Sequence, residues 1–287
     1  DGLKMANIEN GLDRAYELRR FEQHITAGAL GCCLAALVTY VFLTTEPASS
    51  EMTAAEAGFS GVEPISVFPD FASIDSVAVK KQQFFDFLED YVMAENENIA
   101  KTRRELGSYL DIANSGLDFS QRERRWILQL AEHYDLDTAT LSDREITNEL
   151  YKRVDKVPVS LALAQAANES AWGTSRFARE GNNIFGQWCY EEGCGLVPRR
   201  RLAGATHEVK KFDSIQESVN AYINNINTHP SYSYLRDLRA RMRDRNRPLD
   251  PLRLAIGLKS YSQRGDNYVD EVQNLIEQNQ LTERDKG

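Results

Sequence analysis

The sequence contains few cysteines and histidines, with four of each in 287 residues. So few thiols exclude a disulfide-dense scaffold, in which many bridges hold a short chain together. Cys32 and Cys33 lie in an apolar run, which leaves Cys189 and Cys194 as the pair in the rest of the chain. Because no second pair follows and His207 is isolated, a zinc site is the weaker interpretation. We predict no metal and no cofactor.

That remaining pair forms the short motif CYEEGC at 189–194. Two lone cysteines with four residues between them favour a small-loop disulfide in an oxidising compartment. A pair of buried free thiols is the alternative. The motif therefore supports export of this part of the chain.

The chain also lacks an excess of positive charge. It has 34 lysines and arginines against 43 acidic residues, a formal net charge of −9. This balance argues against nucleic acid as the main partner. One basic run does occur, RDLRARMRDRNR at 236–247, but Asp237 and Asp244 are interleaved with its six arginines. We expect a solvated helix face there rather than an anion-binding site.

Long uncharged runs are rare, and one stands out. The 19 residues 25–43, ITAGALGCCLAALVTYVFL, carry no charge. A helix of that length is just long enough to cross a membrane. Charged residues flank the run on both sides, Arg19 and Arg20 before it and Glu46, Glu51 and Glu56 after it. The asymmetry predicts a cytoplasmic segment at 1–24, a single-pass anchor at 25–43 and the bulk of the chain outside the cytoplasm. A cleaved signal peptide is the alternative, but the long span and a weak candidate cleavage site near Ala48 favour an anchor.

Composition divides the remainder into a linker and a domain. Residues 44–72 hold three prolines and many small side chains, which is typical of a stalk. Beyond them the apolar spacing becomes helical, and we assign 73–287 to one domain, with a helical layer at 73–155 and a catalytic core at 156–287. The stretch 195–212 reads as two extended segments around a turn. The expected fold class is α+β, mainly helical with a small β-hairpin.

The clearest helix is VPVSLALAQAANES at 157–170. Pro158 suits its first turn, and Gly173 can terminate it. Glu169 near its C-terminal end is an unusual choice for packing. The partial negative charge of a helix end and an apolar wall from Trp172 would both raise the pKa of Glu169, as a general acid requires. An exposed glutamate with an ordinary pKa is the alternative.

Residues 168–188, NESAWGTSRFAREGNNIFGQW, carry a family resemblance. They resemble the peptidoglycan glucosaminidase superfamily, and most closely its Bax-type members from Gram-negative bacteria. The combination of E-S-x-W-G with G-N-N-x-F-G is highly specific. Further matches are CGLVPRRR, HEVKKF and YSQRGDNYVDEV. The resemblance covers roughly residues 73–282.

The resemblance implies a lysozyme-like fold with a cleft between a helical lobe and a small β lobe. It makes Glu169 the catalytic acid for the β-1,4 bond between N-acetylglucosamine and N-acetylmuramic acid. The expected substrate-binding residues are Trp172, Asn182, Asn183, Phe185, Tyr261 and Tyr268. The two tyrosines are seven apart, one more than in the usual motif, so a core position for one of them is an alternative. A second alternative is that Asn183 braces its turn. For Trp188 a core position is favoured over a sugar platform.

A second carboxylate is harder to assign. Inverting and retaining glycosidases both need one, whereas substrate-assisted routes do not. Glu208 in HEVKKF is the tentative candidate, as a residue that activates water. A solvated strand face is its alternative, and the 2-acetamido group of the substrate could replace it. The run Arg199–Arg201 could meet the acidic lactyl and peptide groups of peptidoglycan, or it could be a solvated face.

The leading prediction is a peptidoglycan hydrolase, an endo-β-N-acetylglucosaminidase anchored in the inner membrane and facing the periplasm of a Gram-negative bacterium. Its partner would be the glycan strands of the cell wall. A lytic transglycosylase on the same fold is one alternative. A non-catalytic peptidoglycan-binding protein is another, because function depends on the site and not on the fold.

Overall fold

We analysed a computed structural model, which describes residues 64–199, 201 and 204–286. The predicted anchor at 25–43, the segment 1–24 and most of the predicted linker lie outside the described residues. Within the described part, no helix combines the length and the apolar character needed to span a membrane.

The described residues form nine α-helices, three short strands and four short 3₁₀ segments. The helices are α1 (Val77–Asn114), α2 (Gln121–His133), α3 (Asp143–Arg153), α4 (Val159–Ser170), α5 (Arg176–Gly181), α6 (Ile215–Thr228), α7 (Ser233–Asp244), α8 (Pro251–Ala255) and α9 (Asp266–Gln278). The strands are β1 (Trp188–Cys189), β2 (Gly195–Leu196) and β3 (Glu208–Lys210). The expected α+β class, mainly helical with a small antiparallel sheet, is confirmed.

The sheet has the order β1-β3-β2, with both pairs antiparallel. Pairing of Leu196 with Val209 corresponds to the predicted hairpin. The structure adds β1, in which Trp188 pairs with Val209 and Cys189 with Glu208. A two-residue strand shows no alternation of polar and apolar residues, so the sequence offers no signal for it.

Helix α4 lies at the centre of the core. Its alanines are at most 1% exposed, and it packs against α1, α9 and the 3₁₀ segment Leu281–Lys286. The carboxylate of Asp285 in that segment caps its first turn, because it accepts hydrogen bonds from the Ser160 backbone N–H at 3.0 Å and the Ser160 hydroxyl at 2.6 Å. Small side chains thus let neighbouring elements approach closely, and a distant carboxylate satisfies the helix start.

The segment just before α4 is fixed by a buried ion-pair cluster. Asp155 is 2% exposed and lies within 4 Å of three arginines, Arg103, Arg239 and Arg243. Burial alone would raise the pKa of Asp155, but the arginine charges outweigh it and lower this pKa. Desolvation lowers the pKa of Arg239 to about 10, so its side chain remains charged at neutral pH. We call Asp155 and its three arginines the Asp155 cluster.

The Asp155 cluster corrects the expected solvated face at 236–247. Arg236 and Arg239 are 4% and 1% exposed. Arg239 donates hydrogen bonds to backbone carbonyls around the end of α3, those of Lys152, Arg153, Asp155 and Lys156. Carbonyls at a buried helix end need donors, and a guanidinium with five N–H groups supplies them. Charge patterning alone does not reveal this role.

The boundary of the domain also needs correction. Phe68 and Phe71, in the predicted linker, are 6% and 3% exposed and pack edge-on against aromatic rings of α1. The backbone of Ile65 exchanges hydrogen bonds with the start of α6, donating to Gln216 and accepting from the Ile215 N–H. The folded unit therefore includes residues 65–72, because their aromatic side chains bury more apolar area than a linker would.

We expect Arg239→Ala to lower the free energy of unfolding by about 3–5 kcal/mol, because it removes a charge that offsets the burial of Asp155 and takes a donor from several buried carbonyls. Chemical denaturation measures this value. Arg245→Ala is the matched control, since Arg245 is an exposed arginine of the same run, and its effect should stay within about 0.5 kcal/mol. Equal effects of the two substitutions would contradict the role of the Asp155 cluster.

Candidate active site

A cleft of about 660 Å³ runs between the helices and the sheet. Helical elements contribute Glu169, Asn225 and Tyr232, and the sheet side contributes Trp188 and His207. The remaining lining residues come from two loops and the tip of the hairpin, and are Phe185, Gly186, Gln187, Pro198, Arg201, Tyr261, Ser262, Gln263 and Arg264. Among the described lining residues, Glu169 is the one carboxylate.

Glu169 occupies the last turn of α4, one residue before its end. Its Oε1 atom is buried and has no hydrogen-bond partner among the described residues. Desolvation raises the pKa of Glu169, and the charge of Glu271 adds to this rise. The Tyr268 hydroxyl and the Arg264 guanidinium oppose it in part. Glu169 therefore stays protonated to a higher pH than an ordinary glutamate does.

A buried hydrogen-bond chain lies beside this carboxyl. The Tyr222 hydroxyl donates to Gln165 Oε1 at 2.6 Å, and Gln165 Nε2 donates to the Tyr268 oxygen at 2.9 Å. Gln165 precedes Glu169 by one helical turn, so both side chains lie on the same face of α4. Because the Tyr268 oxygen already accepts a hydrogen bond, its own hydrogen is available to the neighbouring Glu169.

The two candidate tyrosines have different positions. Tyr261 lines the cleft and donates to the Phe185 carbonyl at 2.8 Å. Tyr268 is fully buried behind it, with the two rings parallel and their centroids 5.4 Å apart. Of the two tyrosines, Tyr261 is therefore the one that faces the cleft. Tyr268 reaches Glu169 from behind it.

A steric constraint explains why the second glycine of the G-N-N-x-F-G motif, Gly186, is a glycine. Gly186 has a φ of +69°, and a Cβ atom there would lie 3.3 Å from Glu169 Oε2. A side chain would be strained by the backbone conformation and would crowd the carboxylate. Phe185, just before it, is 1% exposed and stacks on Tyr222 at 3.9 Å, so it forms the floor of the cleft.

Neither asparagine of this motif lines the cleft, which corrects the expected substrate contact of Asn182 and favours the bracing alternative for Asn183. Asn182 is buried and donates to the carbonyls of Ser66 and Phe212. Asn183 donates to the carbonyls of Gln187 and Lys210 and accepts from the Gln187 N–H. Their amides are already occupied by backbone groups, so they brace the loop that carries Phe185 and Gly186.

Trp172 also departs from its predicted place. Ala171 and Trp172 both adopt positive φ, at 50° and 58°, which turns the chain away from the cleft after α4. The indole packs against Phe84 and Phe85 of α1, with centroid distances of 6.0 and 5.2 Å. The apolar surroundings of Glu169 come from the cleft tyrosines and Phe185 instead.

Glu208 does not line the cleft, which corrects its assignment as a second carboxylate. It is 5% exposed, and its two oxygens accept hydrogen bonds from the backbone N–H groups of Gly193 and Gly195 at 3.2 and 2.8 Å. These glycines flank Cys194, which forms a disulfide with Cys189. Glu208 thus stabilises the disulfide loop from the neighbouring strand.

The sequence interpretation missed several lining residues. Tyr232 is 7% exposed, and burial raises its pKa to about 12, so its hydroxyl stays protonated. Arg264 is paired with Glu271 across the first turns of α9. The position of Arg264 three residues after Tyr261 is the only signal that could have indicated it, whereas Tyr232 carries none.

Comparisons with known proteins identify the family. The family model described as mannosyl-glycoprotein endo-β-N-acetylglucosaminidase, or Glucosaminidase, matches residues 144–281. Protein bax from Escherichia coli K12 is 31% identical over 215 residues, which cover 75% of each chain. The chain belongs to the glucosaminidase family. Its relatives there include Protein bax, as the motif resemblance predicted.

A solved structure is also similar, the catalytic domain of the autolysin Auto from Listeria monocytogenes. It has a TM-score of 0.40 and 16% identity, and the match covers 74% of this chain and 92% of that one. Membership of the glucosaminidase family supports a glycoside hydrolase of the peptidoglycan hydrolase kind.

We expect Glu208→Gln to lower the free energy of unfolding by about 1–3 kcal/mol, because one amide oxygen replaces two carboxylate acceptors for buried N–H groups. Glycan hydrolysis at a temperature where the variant is folded should remain near the unsubstituted rate. Thermal denaturation and a hydrolysis assay measure the two effects. A large loss of rate without loss of stability would restore Glu208 as a catalytic candidate.

Proposed function

We propose that the protein is an endo-β-N-acetylglucosaminidase that cleaves the β-1,4 bond between N-acetylglucosamine and N-acetylmuramic acid in peptidoglycan. The observation that carries the proposal is Glu169, the one carboxyl among the described residues that line the cleft, which is desolvated and has a raised pKa. Membership of the glucosaminidase family supports the reaction class. The motif resemblance indicates which glycosidic bond is cleaved.

Glu169 acts as the general acid. A protonated carboxyl can give its proton to the glycosidic oxygen as the bond breaks, which contributes roughly 10²–10⁴-fold to such reactions. Burial then disfavours the ionised form of Glu169, so the carboxylate readily takes up a proton again. Tyr268, held by Gln165, positions the carboxyl.

The other half of the reaction proceeds by substrate assistance. Among the described residues, no second carboxylate lines the cleft, and Glu208 is committed to the disulfide loop. The carbonyl oxygen of the 2-acetamido group attacks the anomeric carbon while the leaving oxygen takes the proton from Glu169. Water then opens the ring that forms, with Glu169 as base. Routes of this kind need no enzymic nucleophile.

A lytic transglycosylase is the second candidate, and the same observation favours it. A cleft with one carboxyl suits an intramolecular attack by a sugar hydroxyl, which leaves an anhydro-muramyl end. Mass spectrometry of sacculus digests separates the two, because the proposed hydrolase leaves reducing N-acetylglucosamine ends. Binding of sacculi without soluble products would indicate a non-catalytic protein.

The location is part of the proposal. The uncharged run 25–43 and its flanking charges support an inner-membrane anchor with the domain in the periplasm. The disulfide between Cys189 and Cys194 suits an oxidising compartment. Retention of the full chain in the membrane pellet after alkaline carbonate extraction supports the anchor, and release into the supernatant contradicts it.

We expect Glu169→Gln to reduce fragment release from purified sacculi by about 10²–10⁴-fold, because it removes the transferable proton. The same substitution should leave the melting temperature unchanged or raise it. A raised pKa means that the ionised group destabilises the folded state above the unfolded pKa, and glutamine removes that charge. Release at the unsubstituted rate would exclude Glu169 as the acid.

We expect kcat/KM to hold at acidic pH and to fall as the pH rises through the raised pKa of Glu169, since the acid form is the active one. We call this fall in kcat/KM the alkaline limb of the pH profile. Substitution of two charged residues near Glu169 should move the limb in opposite directions. Arg264→Gln removes a charge that lowers the pKa, so the limb moves to higher pH, whereas Glu271→Gln moves it to lower pH. A limb that neither substitution moves would contradict the assignment.

A further inference from the structure

The most exposed indole of the described chain lies in the cleft. Trp188 is 52% exposed, although tryptophan is usually largely buried, and it lines the same cleft as Glu169. Trp126 and Trp172 are half-buried and pack against other aromatic rings. An exposed aromatic ring that lines a concave site is a candidate ligand contact.

One face of this indole is already covered. The His207 ring stacks on Trp188 with centroids 4.1 Å apart and an angle of 14° between the rings. His207 also lines the cleft. The pair forms a flat plate with one indole face left open, which we call the Trp188 plate.

The Trp188 plate is held rigidly on both sides. The residue before it, Gln187, has its backbone N–H and carbonyl both bonded to Asn183, at 3.0 and 2.8 Å. The residue after it, Cys189, forms the disulfide with Cys194. Trp188 itself pairs with Val209 in the sheet. These three contacts fix the backbone at Trp188, and such fixing reduces the entropy lost when a ligand binds.

We propose that the Trp188 plate is a saccharide-binding subsite, on which one pyranose ring of the glycan strand stacks while Glu169 acts on the neighbouring bond. A β-1,4-linked aminosugar has its bulky groups equatorial, so its ring faces present C–H groups. These match the negative face of an indole, in the manner of aromatic and weak C–H contacts. The inference rests on the proposed function, because it takes the same glycan strand as ligand.

Affinity for glycan strands stripped of stem peptides, measured by calorimetry, tests the plate. The Glu169→Gln variant serves as the parent, so that the strand is not consumed. Adding Trp188→Ala should weaken binding about tenfold or more, because removal of an aromatic anchor costs more than about 1.4 kcal/mol. Trp188→Phe should retain most of the affinity. His207→Ala should weaken binding in part, and His207→Phe should restore it, because the ring of His207 positions the indole.

Tyr190→Ala is the matched control. Tyr190 is an aromatic residue of the same loop, 72% exposed, and does not line the cleft. Its removal should leave the affinity within twofold. Equal affinity of the parent and the Trp188→Ala variant, or an equal loss with Tyr190→Ala, would overturn the subsite, and so would a parent that does not bind the strands.

The failure of the two proposals can be told apart. If the unsubstituted protein releases fragments from sacculi while the Trp188→Ala variant binds strands as well as its parent, only the subsite is wrong. If strands bind through Trp188 but no fragments form, the hydrolase is wrong and the subsite stands. Circular dichroism of each variant verifies that it is folded.

Discussion

The buried contact between Asp155 and its arginines is the constraint on which the rest of the site depends. The connection between α3 and α4 is a short segment with buried carbonyls, and Arg239 and Arg243 on α7 supply the donors and charges that it needs. Asn96 on α1 fixes the next residues by bonding both backbone groups of Val157. Helix α4 therefore starts from a fixed segment of chain. Because the helix is rigid, the position of Glu169 near its other end is fixed as well.

The two ends of α4 have opposite electrostatic conditions. At its start the backbone N–H and the hydroxyl of Ser160 both bond to Asp285, which acts as the cap. At its other end Glu169 keeps one buried oxygen without a partner. A buried carboxyl oxygen without a partner lowers the stability of the fold, and such groups are common at functional sites. The well-satisfied start offsets the poorly satisfied end, and both belong to a single helix of twelve residues.

Local patterns in the sequence predict the elements but not their neighbours. The alanine-rich run predicts α4, and its end predicts an unusual glutamate, because helical spacing and capping are local properties. Asn183 and Trp172 stand in the same motif as Glu169, yet one binds backbone carbonyls and the other packs on α1. Their roles depend on which surfaces meet in three dimensions. For the same reason Trp188, which a packing argument assigns to the core, is exposed in the cleft.

The cap on α4 has a practical meaning for anyone who divides this chain. The family match ends at residue 281, four residues before Asp285, and begins after α1. A fragment cut to those limits would keep Glu169 and all of its motif neighbours, yet it would lose the carboxylate at the helix start and the long helix that covers its flank. The smallest autonomous unit of this protein is therefore larger than its recognisable signature.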